Sequence, residues 1–263
     1  MNNKLDRSHQ AIATSETEKL IIENQELEIA NKELEEFVST VTHDLQAPLR
    51  SLTMFAELLA KDYQGELDEV AVKYIKHITD SGVRMQTLIQ DLLSYSRAGK
   101  SQQTWIFVDL NSILEKITQD LQAAIIETQA VIIVDDLPTI FVNPTEIAQV
   151  FQNLIDNAIK FCSNQQPWIE VKATKQEENW LFSIKDNGIG IEPEFQTQVF
   201  QVLQRLHSPE TYTGNGIGLA ICEKIVRRYN GKIWVESELN HGSTFYFTVP
   251  INLPPNHPSM KAK

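Results

Sequence analysis

The sequence predicts an α + α/β chain. A helical hairpin, half of a dimeric antiparallel four-helix bundle with an N-terminal coiled coil, is followed by an α/β sandwich with helices on one face of a mixed sheet. Three observations predict this. Leu20, Leu27, Leu34 and Val41 recur at spacing seven. Apolar residues then keep helical spacing as far as Arg97, broken by one turn. From Trp105 the pattern changes to short β-branched and aromatic runs alternating with helical ones.

Residues 1–16 are polar and aperiodic and read as a flexible tail. In the heptad that follows, the leucines and Val41 take d positions, while Thr17, Asn24, Asn31 and Val38 take a positions. Asparagine at a costs stability but favours a parallel two-stranded coil; the competing reading is one amphipathic helix packed in its own monomer. The heptad places His43 at f, on the solvent side, with Asp44 beside it. Pro48 lacks the N–H that would bond the carbonyl of Asp44, so a bend is expected there. Leu49, Leu52, Ala56 and Leu59 resume an apolar stripe, and Tyr63–Glu66, containing Gly65, reads as a turn. A second helix is expected from about 68 to 97, its stripe formed by Ala71, Ile75, Ile78, Gly82, Met85, Ile89 and Leu92. Coiled coil and hairpin thus occupy 17–98.

Residues 99–104 form a small polar linker. Its Gly99-Lys100-Ser101 imitates the end of a P-loop, but Ser94 stands where the first glycine belongs and a helix, not a strand, precedes it. In the second domain, 105–251, strand-like runs are Trp105–Val108, Val131–Val134, Trp168–Ala173, Trp180–Lys185, Lys232–Glu236 and Thr244–Val249. Helical runs are Leu110–Glu127, Pro144–Phe161 and Gly216–Tyr229. Residues 252–263 are proline-rich and read as a second flexible tail.

Composition narrows the function classes. With 42% hydrophobic and 22% charged residues, the chain can bury a core in each domain. A formal charge of −12 argues against nucleic-acid and anionic-membrane partners, which need a basic face. No apolar run reaches the roughly twenty residues of a membrane span, and no apolar signal core opens the chain. Cys162 and Cys222 have no metal-ligand spacing and suggest a reducing compartment. The expectation is a cytoplasmic protein.

The chemistry lies between Asn153 and Leu219. Asn153, Asn157 and Lys160 share one helix face at i, i+4 and i+7, while Val150, Leu154 and Ala158 face the core. The carboxamide oxygens of Asn157 and Asn153 are hard neutral ligands suited to Mg²⁺, and Lys160 adds charge for phosphates. Asp186 ends a strand and is followed by Gly188 and Gly190, so a buried carboxylate can accept the adenine amine while the backbone approaches the ring. Alone that pattern is shared by calcium loops and plain turns. Gly214, Gly216 and Gly218, with Leu219, open a helix whose free N–H groups and dipole suit phosphates. The spacing and the absence of a preceding strand separate it from a dinucleotide fingerprint. Between the loops, Val199 and Phe200 lead to Arg205, His207 and the polar stretch 208–213. This suits a nucleotide lid with an apolar latch and an arginine for the γ-phosphate; a solvated surface residue is the plainer reading of His207.

These residues, over about 17–250, resemble the sensor histidine kinases of two-component systems. The segments around His43, Asn153–Phe161, Asp186–Gly190, Phe200 and Gly214–Gly218 correspond, in order, to that family's phosphoacceptor, asparagine, first glycine, phenylalanine and second glycine boxes. Arg205-Leu-His207, Gly216–Cys222 and Trp234–Ser237 look most like kinases coupled to phytochromes. The resemblance implies the histidine kinase/gyrase-type ATP-binding fold, ATP and Mg²⁺ as cofactors, a homodimer, an upstream sensor and a response-regulator partner. It also implies that His43 takes the γ-phosphoryl group of ATP, assisted by Asp44 and Arg205, and passes it to a regulator aspartate. Two departures stand out. Ala47 replaces the Thr or Asn that orients a hydrolytic water in many relatives, and Phe161 replaces a commoner Tyr, keeping an apolar adenine contact without the hydroxyl. The alternatives are an ATP hydrolase of the gyrase or mismatch-repair type, which needs no acceptor histidine, and an inactive dimeric scaffold.

Overall fold

In a computed structural model the described residues are 2–98, 105–162, 165–206, 212 and 214–251, with backbone alone through most of 2–39. The chain divides between Ser96 and Arg97 into two compact units. The linker 99–104, the tail 252–263, His207 and most of the stretch 208–213 lie outside the described residues.

The first unit is two helices. α1 spans Asn2–Asp62 and α2 Glu69–Arg97. Helix extends through residues 2–16, where a flexible tail is expected from the sequence, because no glycine precedes Gly65 and the one proline before it, Pro48, leaves the helix unbroken. The turn closes through Glu66 N–H to the Tyr63 carbonyl at 3.0 Å, with Gly65 at φ +89. Asp68 caps α2, its Oδ1 accepting from Ala71 N–H at 2.7 Å.

α1 carries two apolar seams. Thr42, Leu49, Thr53 and Ala56 are buried. Opposite Thr53 stands Gly82 on α2, where an added Cβ would lie 2.3 Å from the Thr53 hydroxyl oxygen, so only glycine permits this approach. The stripe expected from the sequence mixes these seams: Leu49 and Ala56 face inward, whereas Leu52 and Leu59 are exposed. The coiled-coil positions Thr17, Leu20, Asn24, Leu27, Asn31 and Leu34 are helical, but their side chains lie outside the described residues.

The second unit is built on a five-stranded sheet. Its strands are β2 (Val131–Val134), β4 (Trp168–Lys175), β5 (Asn179–Asp186), β6 (Ile233–Glu238) and β7 (Gly242–Pro250), in the order β2-β4-β5-β7-β6. β2 runs parallel to β4 and the other neighbours are antiparallel. A separate ribbon pairs β1 (Ile106–Asp109) with β3 (Thr139–Val142). Ile169, Val171, Phe182, Ile184, Phe245, Phe247 and Val249 alternate inward and are buried. On that face lie α3 (Leu110–Asp120), α5 (Pro144–Lys160) and α6 (Gly218–Arg228); a short α4 (Gln122–Thr128) follows α3. Phe151 of α5 meets Phe182 and Phe247 edge-on at 5.7 and 5.3 Å, while those two rings stack at 4.8 Å.

Three differences from the predicted elements have local causes. β3 is bounded by Pro138 and Pro144, which hide a four-residue strand inside a turn-like composition. The helix expected over 110–127 breaks at Leu121, where no glycine or proline signals it. α6 begins at Gly218 rather than Gly216, because Gly214 at φ +131 and Gly216 at φ +69 lie outside helical space.

Candidate functional site

α5 supplies one wall. Asn143 caps it, Oδ1 accepting from Thr145 and Glu146 N–H at 3.0 and 3.2 Å, and Pro144 occupies the first turn. Fixed in that way, the helix presents Asn153, Asn157 and Lys160 half-buried along one face while Val150, Leu154 and Ala158 are buried, as their spacing predicts. Asn153 Nδ2 donates to the Gly218 carbonyl at 3.2 Å, tying α5 to the start of α6. The Asn157 carboxamide makes no side-chain hydrogen bond among the described residues. An added Cβ at Gly214 would lie 2.4 Å from Lys160 Nζ, so the glycine lets this loop pass the ammonium closely.

The loop after β5 supplies the second wall. Asp186 is buried, and its Oδ1 accepts from Gly188 N–H at 2.8 Å and Ser243 N–H at 3.1 Å. Burial pushes its pKa up to about 6, and the two backbone donors partly offset that rise. Gly188 packs against α5: its missing Cβ would lie 2.5 Å from the Phe161 carbonyl, which accepts from Ile189 N–H at 2.9 Å. Gly190, at φ +72, approaches the Glu238 carbonyl, where a Cβ would sit at 2.0 Å.

Phe161 joins these walls. Lys160 Nζ stands 4.6 Å from its ring centroid, and the Tyr212 ring stands 5.0 Å away. Arg205 donates to the Tyr212 carbonyl at 3.0 Å. Gly216 packs against the Gln204 carbonyl, where a Cβ would meet the oxygen at 2.3 Å. Phe200 and Val199 are buried, with Phe200 edge-on to Phe245 at 6.4 Å. Gly218 and Leu219 open α6, whose first turn has no side-chain cap, leaving its N–H groups for another acceptor.

The structure thus gathers Asn153, Asn157, Lys160, Phe161, Asp186, Gly188, Gly190, Arg205, Gly214, Gly216, Gly218 and Leu219 in one unit. Sequence reasoning misses Gly242, Ser243, Ser237 and Tyr212. Gly242, at φ +91, approaches the Asp186 carbonyl, where a Cβ would sit at 2.1 Å. Ser237 Oγ donates to the Gly242 carbonyl at 2.8 Å and accepts from Ile191 N–H at 2.8 Å. A glycine at a strand start is a signal for the first of these; the others act through contacts between segments distant in sequence.

In the helical unit His43 is 86% exposed, and its Nδ1 lies 3.2 Å from Asp44 Oδ1. Ala47 is exposed one turn on, and Gln46 Nε2 reaches Gln90 Oε1 at 3.5 Å.

The His Kinase A (phospho-acceptor) domain family matches residues 33–101, and the Histidine kinase-, DNA gyrase B-, and HSP90-like ATPase family matches residues 142–253. This chain carries the core of a sensor histidine kinase. The kinase core is 44% identical to Cyanobacterial phytochrome A of Nostoc sp. over 226 residues, covering 86% of this chain and 30% of that protein. It therefore spans about a third of that relative's length. Among solved structures, full-length ShkA in complex with AMPPNP aligns with a TM-score of 0.65 at 24% identity, over 83% of this chain and 46% of that one. Histidine kinase ThkA in complex with the response regulator protein TrrA aligns at 0.57 and 21% identity, over 84% and 64%. At these identities the two structures speak to the fold: a helical segment followed by an α/β ATPase-type domain. Among the described residues no helix is long and apolar enough to cross a membrane.

Proposed function

We propose that the chain binds ATP in the second unit, transfers its γ-phosphoryl group to His43, and passes it to an aspartate of a response regulator. The observation that carries this reading is the arrangement along α5 of a buried acceptor, an aromatic ring and an ammonium near Phe161 and an uncapped helix start at Asn153. That set matches adenine at one end and phosphates at the other. Asp186 accepts the adenine amine, Phe161 covers the base, and Lys160 with the N–H groups of Gly218 and Leu219 neutralises phosphate. Gly188, Gly190 and Gly216 let the loop backbones pack against neighbouring carbonyls, which positions the loops around the nucleotide.

No group of three or more His, Cys, Asp or Glu side chains among the described residues could cage a metal, whereas neutral amide oxygens beside a phosphate site suit Mg²⁺, which keeps waters and phosphates as most of its ligands. Asn157, with its carboxamide uncommitted, and Asn153, through the oxygen of an amide whose nitrogen binds Gly218, would hold it. When bound it supplies charge neutralisation at the phosphates.

Neutral imidazole is the nucleophile. Asp44 holds the proton on Nδ1, which fixes the tautomer and leaves the Nε2 lone pair for phosphorus. The N–P bond forms as the bond to the ADP oxygen breaks, and Asp44 favours the developing imidazolium charge. The phosphoimidazole then gives its phosphoryl group to a carboxylate of the regulator. ThkA's complex with a response regulator supports that partner, the phytochrome likeness supports input from an upstream sensor, and the exposed seam of α1 supports a homodimer.

γ-Labelled ATP tests the reading. It should leave an acid-labile, base-stable label on the chain that His43→Gln abolishes. Phosphate release with no label would favour the hydrolase alternative, and neither label nor release the inactive scaffold.

A further inference from the structure

Tyr212 is the single tyrosine between Ser208 and Gly214 and has no role in the family reading above. Its ring centroid stands 5.0 Å from that of Phe161 at an interplanar angle of 48°. Both rings are half-buried. The Arg205 guanidinium holds the Tyr212 carbonyl at 3.0 Å, which fixes the backbone at this point. Two residues further on, Gly214 passes close to Lys160 Nζ, 2.4 Å from where a Cβ would stand. An aromatic contact at Tyr212 and a cationic one at Gly214 thus both fall at the last turn of α5. A nucleotide has the same polarity, an aromatic base at one end and anionic phosphates at the other.

We propose that Tyr212 contacts the base, extending Phe161 into a two-ring aromatic wall for the purine whose amino edge Asp186 accepts. The inference rests on the ATP reading above and assigns a specificity residue within it. Phe161 alone is one half-buried ring, and a flat purine gains by covering more aromatic surface. The tilt between the rings forms a corner, and the Arg205 bond sets where that corner lies. Because the contact is made by the ring, the phenol oxygen is dispensable. Because it is made to the base, its worth is independent of how many phosphates follow.

The experiment measures dissociation constants of ATP, ADP and AMP by calorimetry on the whole chain, for wild type, Tyr212→Ala and Tyr212→Phe. Tyr212→Ala should weaken all three by a similar factor, about tenfold, and Tyr212→Phe should stay within about twofold of wild type. Unfolding midpoints for each variant separate a lost contact from a damaged fold. Tyr212→Ala affinities that equal wild type, or a loss confined to ATP, would overturn the proposal, as would an equal loss in Tyr212→Phe, which would assign the contact to the hydroxyl. A wild-type chain that binds ATP while Tyr212→Ala binds it equally well leaves the ATP reading standing and removes this one. A wild-type chain that binds none of the three overturns both.

Discussion

Asp186 is held under two opposing influences. Burial disfavours its charge and raises its pKa from 3.8 to about 6, while N–H groups of Gly188 and Ser243 favour the charge on Oδ1. An unfolded carboxyl titrates near 3.8, so the folded chain keeps a proton that the unfolded chain has released. The stability this lends is full below 3.8 and is lost as pH rises through about 6. In the proposed nucleotide complex ligand binding runs the other way, because the adenine amine is a donor and is accepted most strongly by the ionised carboxylate. ATP affinity should therefore fall as pH is lowered from 7.5 to 5.5. Asp186→Asn keeps a carbonyl oxygen for Gly188 and Ser243 but turns an N–H₂ toward the amine. It should cost about 1–3 kcal/mol of affinity at pH 7.5 and flatten the pH profile. Equal pH dependence in wild type and variant, measured by nucleotide titration, would show that another group sets it. The glycines and Asp186 are legible in sequence because each demands one residue type locally. Ser243 is not legible: its contribution is a backbone N–H, which any residue but proline carries, and only the pairing of β7 beside β5 brings it to the carboxylate.

At the scale of the element, α1 shows why a stripe can be found and still be divided wrongly. Val41, Leu45, Pro48, Leu52, Phe55 and Leu59 follow the alternating three-four spacing of a coiled-coil seam, and Phe55 is 61% exposed. Thr42, Leu49, Thr53 and Ala56 form the inward seam, but two of the four are threonines, so sequence alone favours grouping the apolar residues together. Burial separates them. Gly82 then explains how α2 comes near enough to bury Thr53. An apolar seam of this length is unusual on a monomer surface, and in the proposed homodimer a second copy presents the same seam to it. Phe55→Asp should therefore weaken the dimer by about 3 kcal/mol or more, giving a monomer by light scattering at micromolar concentration with helical circular dichroism retained. An unchanged dimer would place its interface elsewhere, such as the heptad from Leu20 to Leu34. In the second unit the long strands and α5 are legible because their periods are unambiguous. β3 and the break at Leu121 are short-range events to which composition is blind.

In the reaction proposed above the nucleophile, exposed His43, belongs to the first unit and the nucleotide-binding residues to the second, and the balance of output would rest on what surrounds His43. Hydrolysis of a phospho-aspartate needs a polar atom that orients water, and such positioning contributes several kcal/mol to a barrier. One turn beyond His43 the available group is the methyl of Ala47, which can neither donate nor accept a hydrogen bond. The neighbouring carboxamide of Gln46 is turned toward Gln90 across the hairpin, which draws it away from a free role with water. Phosphotransfer should therefore be intact and dephosphorylation of the regulator weak. Ala47→Thr introduces a hydroxyl on an exposed helical turn without disturbing the His43–Asp44 contact, so autophosphorylation should hold within about twofold while regulator dephosphorylation rises by about tenfold or more, the equivalent of one well-placed hydrogen bond. The measurement is the decay of purified phospho-regulator with ADP and the dimer, wild type against Ala47→Thr. Fast decay with wild type that the threonine does not increase would mean that Gln46 leaves Gln90 to orient the water; Gln46→Ala would then slow it.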